Sequence, residues 1–337
     1  MFSRLILCIL LVFCFPITTF AKNTTPLRIV VSIAPQKYML ERIAGDAVQI
    51  AVLVSPGADP HNYEPGPATM RSVFNSSAWF TIGIPFEDIW LERMHKLSPE
   101  LAIISSVKGI TRVPFHMIAN LELADKERER TRPHDNKLTD YQDGHSPPAS
   151  NEMPANGAVH PVDDHAGHGH SHESLDPHVW LSPMLVREML PNLARELGKL
   201  LPDKAQEFRA NAQVFANELE ALDNELANRF RAVPVEKRVF LTFHPSWQYF
   251  ALNYQLRELS IEIDGKEPGP KGMKAVIDVA KQYGITTVFI EPQFSKTAAK
   301  AIAQNIGAEV VEADPLAEDL PALYRNMTEK LIESFPQ

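Results

Sequence analysis

Thiols are nearly absent from this chain. Cys8 and Cys14 are the only cysteines among 337 residues, and both lie in an apolar leader. Leu5 to Phe15 is an apolar run preceded by Arg4 and followed by Thr19-Phe20-Ala21, with small residues at the −3 and −1 places. That is the form of a secretory signal, so residues 1–21 are expected to be removed and the mature chain to begin near Lys22, exported to the periplasm. Lipoprotein processing at Cys14 is disfavoured because bulky Phe13 stands where a small residue is needed. A mature chain without thiols forms no disulfide, and its metal chemistry must rest on histidine and carboxylate. A long hydrophobic run is missing too: the leader is too short to span a bilayer, which takes about 20 residues, and no later stretch is longer. A basic excess is also lacking. With 33 Lys and Arg against 42 Asp and Glu, the formal net charge is −9, and the loss of Arg4 with the leader makes it one more negative. Such a chain is a poor candidate for binding nucleic acid or an anionic membrane surface, and it is compatible with a cationic ligand.

What is present alternates regularly. Arg28 to Ser32 reads as a buried strand, Pro35 opens a helix that Gly45 stops, and Val48 to Val54 is a second strand. Helices at 67–75 and 86–96 and strands at 79–82 and 101–105 follow. The second half repeats the pattern, with strands at 238–243, 256–259, 287–290 and 309–312. Helices are expected there at 245–252, 270–283, 296–306 and 318–334. Alternating strand and helix predicts an α/β fold with mainly parallel sheets. Between the halves, a helix from Pro183 to Leu200, bent at Pro191, leads into a longer one at about 204–231. Phe208, Ala212, Phe215, Leu219, Leu222 and Leu226 keep helical spacing along it. At 1.5 Å per residue it spans roughly 40 Å, enough to run beside two lobes. The expected architecture is a first lobe at 22–203, a linking helix at 204–231 and a second lobe at 232–337, each lobe with a four-stranded sheet flanked by helices.

The alternation stops at an insertion, 122–174. Between Ala124 and Glu173 there is no Phe, Trp or Ile, while prolines, a K-E-R-E-R-T-R charge run and seven histidines from His134 to His172 are present. Such a segment buries too little apolar surface to offset the entropy of ordering it, which predicts disorder. Solvated loops normally use Lys, Glu, Ser and Gly, so the histidines His160, His165, His168, His170 and His172 are read as weak metal-collecting sites.

Outside that insertion five histidines remain: His61, His95, His116, His178 and His244. His95 and His116 read as surface residues. The other three sit beside a proline at the edge of an element: Asp59-Pro60-His61, Asp176-Pro177-His178 and Phe243-His244-Pro245. Proline fixes φ and removes a backbone donor, which suits a side chain held in one direction. His61, His244 and Asp314 follow strand ends, where open α/β sheets bind ligands, so these side chains and His178 can converge in a cleft between two lobes. Three imidazoles and one carboxylate suit tetrahedral zinc; manganese prefers more oxygen, and copper(I) prefers sulfur. Glu291, Asp59 and Glu64 are alternative carboxylates. Asp314 can equally act as a helix cap. Because ligating imidazoles must be neutral, affinity is expected to fall below about pH 6. A secreted zinc hydrolase is the rival from another class, and the chain carries no H-E-x-x-H helix for it.

Several long motifs in order carry a resemblance: G-A-D-P-H-N-Y-E-P at 57–65, D-P-H-V-W-L-S-P at 176–183 and F-H-P-S-W-Q-Y-F at 243–250. They continue with G-K-E-P-G-P-K at 265–271, F-I-E-P-Q-F-S at 289–295 and E-A-D-P-L-A at 312–317. The chain resembles the cluster A-I metal receptors of ABC importers, most closely the zinc-binding ZnuA type. The resemblance implies a solute-binding protein without catalytic activity, read as a monomer, that holds one Zn²⁺ between two lobes. It would deliver that ion to a membrane permease driven by a cytoplasmic ATPase. His61, His178 and His244 match the three histidine ligands of the family, and Asp314 matches the carboxylate used by some members. Manganese receptors generally place a glutamate where His244 stands, which favours zinc over the manganese alternative. Zinc-binding members often complete the shell with water or a carboxylate near the first histidine, so Asp314, Glu291, Asp59, Glu64 and water remain alternatives. A histidine-rich acidic loop is typical of the zinc branch, where it is thought to collect or sense metal.

Overall fold

A computed structural model describes residues 26–115, 175–262 and 266–336. The leader at 1–21, His116 and the insertion at 122–174 with its histidines lie outside the described residues. The first sheet is built from β1 (Leu27–Val31), β2 (Val48–Val52), β3 (Ala78–Thr81) and β4 (Ala102–Ser105), with α1 (Ala34–Ala44), α2 (Pro67–Phe74) and α3 (Pro85–Leu97) between them. All its pairings are parallel, in the order β2-β1-β3-β4. Two helices follow, α4 (Pro183–Leu200) and α5 (Ala205–Arg231). The second sheet repeats the first, with β5 (Val239–Thr242), β6 (Arg257–Ser260), β7 (Thr287–Ile290) and β8 (Glu309–Glu312) parallel in the order β6-β5-β7-β8. Its helices are α6 (Gln248–Tyr254), α7 (Pro270–Gln282), α8 (Lys296–Ile306) and the closing α9 (Leu320–Ser334). No helix among the described residues is long and apolar enough to cross a membrane.

Local chemistry accounts for these elements. Ile29, Val30 and Val31 of β1 are fully buried, as a parallel sheet covered on both faces requires. Proline sits in the first turn of α2, α3, α4 and α7, where its missing N–H is not needed and its φ is already helical. The helix α4 stays helical through Pro191. Two helix starts differ from the sequence-based expectation by more than one residue. The helix α6 begins at Gln248 because residues 244–247 turn tightly instead. The Ser246 N–H donates to the His244 carbonyl (3.0 Å) and the Trp247 N–H to Glu258 Oε1 (3.2 Å). The helix α9 begins at Leu320 because Asp319 is its cap, accepting from the Ala322 N–H at 3.0 Å.

The long helix α5 buries Phe208, Ala212, Phe215, Leu219, Leu222, Leu226 and Phe230 along one stripe. That stripe meets α1 and α4 on the first-sheet side and α6 and α9 on the second-sheet side. One apolar core therefore runs unbroken from the first sheet to the near face of the second, where Phe240, Phe250, Tyr254, Phe289 and Tyr324 join it. Alternation along β5 and β7 sends Leu241, Val288 and Ile290 to the opposite face, into a separate cluster under α7 and α8. Polar ties reinforce the joint: Trp180 Nε1–H donates to the Pro315 carbonyl (2.8 Å), and the Tyr324 hydroxyl donates to the Trp180 carbonyl (2.6 Å). The exposed Lys37–Glu318 pair at 2.6 Å adds little, at most about 1 kcal/mol.

Candidate metal centre

In each sheet the chain leaves its first strand to one side and returns on the other, so the topological switch falls between β1 and β3 and between β5 and β7. Ligand sites form outside the carboxyl ends of strands at such points. His61 arrives on the loop after β2, His244 directly after β5, and His178 just before the short 3-10 turn Val179–Leu181. The structure brings the three imidazoles together, each offering a ring nitrogen within 4.8 Å of the others. Ring centroids lie 4.8 Å apart for His61 and His244, and 5.4 Å for each pair containing His178.

The repeated Asp-Pro-His is one turn used twice. The Asp59 carboxylate accepts the His61 N–H, and the Asp176 carboxylate accepts the His178 N–H, each at 2.9 Å. The intervening proline has no donor to compete and presets the turn. Asp314-Pro315-Leu316 makes the same turn, with the Leu316 N–H donating to Asp314 Oδ1 at 2.9 Å. Proline drew attention in the sequence, but the aspartate makes the bond that holds the backbones of His61 and His178.

Carboxylates also orient two of the rings. His178 Nδ1 is 2.8 Å from Asp176 Oδ1, and His244 Nδ1 is 2.7 Å from Glu262 Oε2. A carboxylate can only accept, so Nδ1 carries the proton in each ring and Nε2 presents its lone pair. His244 Nε2 is buried and has no hydrogen-bond partner, as a waiting ligand atom would be. Burial, followed by the neighbouring imidazoles, pushes His61 and His244 down to about 3, which keeps both neutral. Glu262 is placed by the sheet: the Ile261 N–H donates to the Thr242 carbonyl and the Glu262 N–H to the Phe243 carbonyl, both at 2.9 Å, carrying β5–β6 pairing past the strand ends. Its position two residues beyond β6, at a carboxyl end, was the signal that could have singled it out.

The imidazoles border a cavity of about 20 Å³, also lined by Asp59, Trp180, Glu291, Phe294 and Leu316. That volume holds one small ion or one water. Among the candidate carboxylates, Asp59 and Glu291 line it, while Asp314 and exposed Glu64 do not. Asp59 is engaged through both oxygens, Oδ2 accepting from Asn62 Nδ2 at 2.7 Å. Glu291 accepts from the Ser246 hydroxyl through Oε1 (3.0 Å), and its buried Oε2 has no hydrogen-bond partner. Burial raises Glu291 to about 8. Asp314 lies outside the group formed by the three histidines, its carboxylate turned to the Leu316 amide. His95 sits exposed in the last turn of α3.

Comparison with known proteins places the chain in a family. A family model described as ZnuA, zinc-uptake complex component A, periplasmic, matches residues 29–337. The zinc-binding protein AdcA of Streptococcus pyogenes is 25% identical over 299 residues, covering 86% of this chain and 50% of its own length. The zinc-binding lipoprotein AdcA of Streptococcus pneumoniae is 24% identical over 319 residues, covering 92% of this chain and 55% of its own. This chain thus spans about half the length of these curated relatives. A crystal structure of ZnuA is 34% identical with a TM-score of 0.72, covering 92% of this chain and 99% of that one. An internal deletion mutant of ZnuA with zinc bound is 33% identical, also with a TM-score of 0.72, covering 93% and 99%. With a family model matched over nearly the whole described chain and a solved relative of one-third identity, this protein belongs to the ZnuA family.

Proposed function

We propose that this protein is a periplasmic receptor that binds Zn²⁺ through His61, His178 and His244 and delivers it, as a monomer, to an ABC-type permease and its ATPase. The observation that carries the reading is three converging imidazole nitrogens beside a cavity the size of one ion. Organic solutes need sites of roughly 300–1,000 Å³, so the cargo is an ion. Three nitrogen donors favour zinc over manganese or calcium, which prefer oxygen. The same small cavity leaves no room for a peptide or ester beside the ion, which supports carriage rather than hydrolysis. The fourth ligand in this reading is Glu291 or a water, because Glu291 lines the cavity and Asp314 does not. The secretory leader, the family's description as periplasmic and the histidine-rich insertion support the assignment.

Zinc titration against a competing chelator tests it. One tight site is expected, lost when His61, His178 and His244 are replaced by alanine. Deleting residues 122–174 is expected to leave the tight site and remove several weak ones. Tight binding that survived the triple replacement, or that vanished with the deletion alone, would sink the proposal.

A further inference from the structure

The two chain segments flanking residues 116–174 are fastened to the second lobe beside the imidazoles. Pro114 and Leu175 form an isolated antiparallel bridge, and the Asp176 N–H donates to the Val113 carbonyl at 2.9 Å. The Tyr249 hydroxyl spans this stem, accepting from the Val113 N–H (3.2 Å) and donating to the Asp176 carbonyl (2.9 Å). Gln248 Nε2 donates to the Pro114 carbonyl at 2.9 Å. The next residue is Phe115. Its ring centroid lies 5.9 Å from that of His178, nearly parallel at 25°, and 5.9 Å from that of His244 at 43°. Phe115 does not line the ion-sized cavity, whose aromatic walls besides the imidazoles are Trp180 and Phe294, the latter stacked on His244 at 5.3 Å. The imidazole cluster therefore meets the cavity in one direction and the Phe115 ring in another.

We infer that Phe115, positioned by Tyr249 and Gln248, is a specificity-determining residue: its ring covers one approach to the ion and holds the coordination number at four. This rests on the three-histidine reading of the site. Zinc is satisfied by four ligands in a tetrahedron, whereas manganese and other oxygen-preferring divalent cations take six or more and keep several waters. An apolar ring against the ligand imidazoles offers no donor atom and displaces water from that side. Cations that need additional waters are thereby excluded, while zinc, with one further ligand from the cavity, loses nothing.

The test compares wild type, Phe115→Ala, Phe115→Leu and Tyr249→Phe as full-length mature chains, using zinc, manganese and cobalt(II) as probes. Phe115→Ala is expected to narrow the zinc-to-manganese affinity ratio by about tenfold, the scale of changes next to metal ligands. Cobalt d–d absorption, intense in four-coordinate sites and weak in six-coordinate ones, is expected to weaken in the same variant. Phe115→Leu keeps an apolar cover and should retain most of the ratio. Tyr249→Phe frees the stem without touching the ring, and is expected to shift both readouts part of the way; it tests the inference independently should Phe115→Ala fail to fold. If wild type binds zinc through its three histidines but the folded variants keep its ratio and cobalt spectrum, the role of Phe115 is refuted alone. If wild-type zinc binding does not depend on those histidines, the proposed function and this inference fall together.

Discussion

Glu262 offers the most direct test of how the site works. Its Oε2 lies 2.7 Å from His244 Nδ1, and the His244 side chain is only 7% exposed, so little water can replace a lost acceptor. Glu262→Ala takes away the group that fixes the proton on Nδ1 and points Nε2 at the ion. Partners of this kind are worth about 10–100-fold in metal affinity, or about 1.4–2.8 kcal/mol. The orphaned Nδ1–H adds a penalty of about 1–3 kcal/mol to the fold. Glu262→Gln keeps an acceptor and loses only the charge, so it belongs near the lower end of that affinity range. The assay is zinc competition with a chelator of matched affinity, alongside urea unfolding of the zinc-free protein. Asp176, which plays the same part for His178, permits a double-mutant cycle. Because both rings serve one ion, the two losses are expected not to add. A Glu262→Ala variant within threefold of wild-type affinity would refute the idea that the carboxylate orients the ligand.

Further outcomes follow from the same geometry. Burial and neighbouring imidazoles hold His61 and His244 at about 3, while an unfolded chain protonates histidine near 6.5. The unfolded state binds more protons at these two histidines between those values, so their contribution to the stability of the zinc-free protein is full above about pH 6.5 and is lost as pH falls toward 3. His244 alone contributes on the order of 2 kcal/mol of that loss by pH 5. Urea unfolding with chelator present at pH 7.5 and pH 5, on wild type and His244→Gln, checks this, and an identical pH dependence in the two would contradict it. At the ion, ligating imidazoles must be neutral and the Glu291 carboxyl, which burial raises to about 8, must give up its proton, so zinc affinity is expected to fall as pH drops below about 6. At the fourth position, Glu291→Gln is expected to weaken zinc binding about tenfold, on the scale of a lost charged contact, whereas Asp314→Ala should act only through its turn. Chelator competition on both variants decides it, and a larger loss from Asp314→Ala would restore the aspartate as ligand.

Much of the fold was legible because alternation between buried strands and proline-started helices is a local signal. The strands Thr287–Ile290 and Glu309–Glu312 and the helices Pro183–Leu200 and Lys296–Ile306 have the bounds read from sequence. The start of α6 was not legible because tertiary bonds decide it: the Trp247 amide is claimed by Glu258, eleven residues away. Among the candidate ligands, the three histidines were found through their proline neighbours, and they converge. Asp314 was picked for its place after a strand end, yet in Asp-Pro-X the aspartate faces its own backbone and the third residue points outward. That rule favours His61 and His178 and turns Asp314 inward. Glu262 and Phe115 went unnoticed because neither stands beside a motif. Extended sheet pairing places the first and an interlobe hydroxyl the second, and both are three-dimensional facts.

The unbroken core along α5 bears on how the ion leaves. Lobes with separate cores can swing apart at the expense of cleft contacts alone. Here a swing would draw Phe240, Phe250 and Tyr254 away from Phe230 and its neighbours. At about 1.5–3 kcal/mol for each re-exposed side chain, that motion approaches the stability of a whole domain. Loaded and empty forms will therefore differ in the loops that carry the ligands more than in lobe orientation, and a partner that distinguishes them must read those loops.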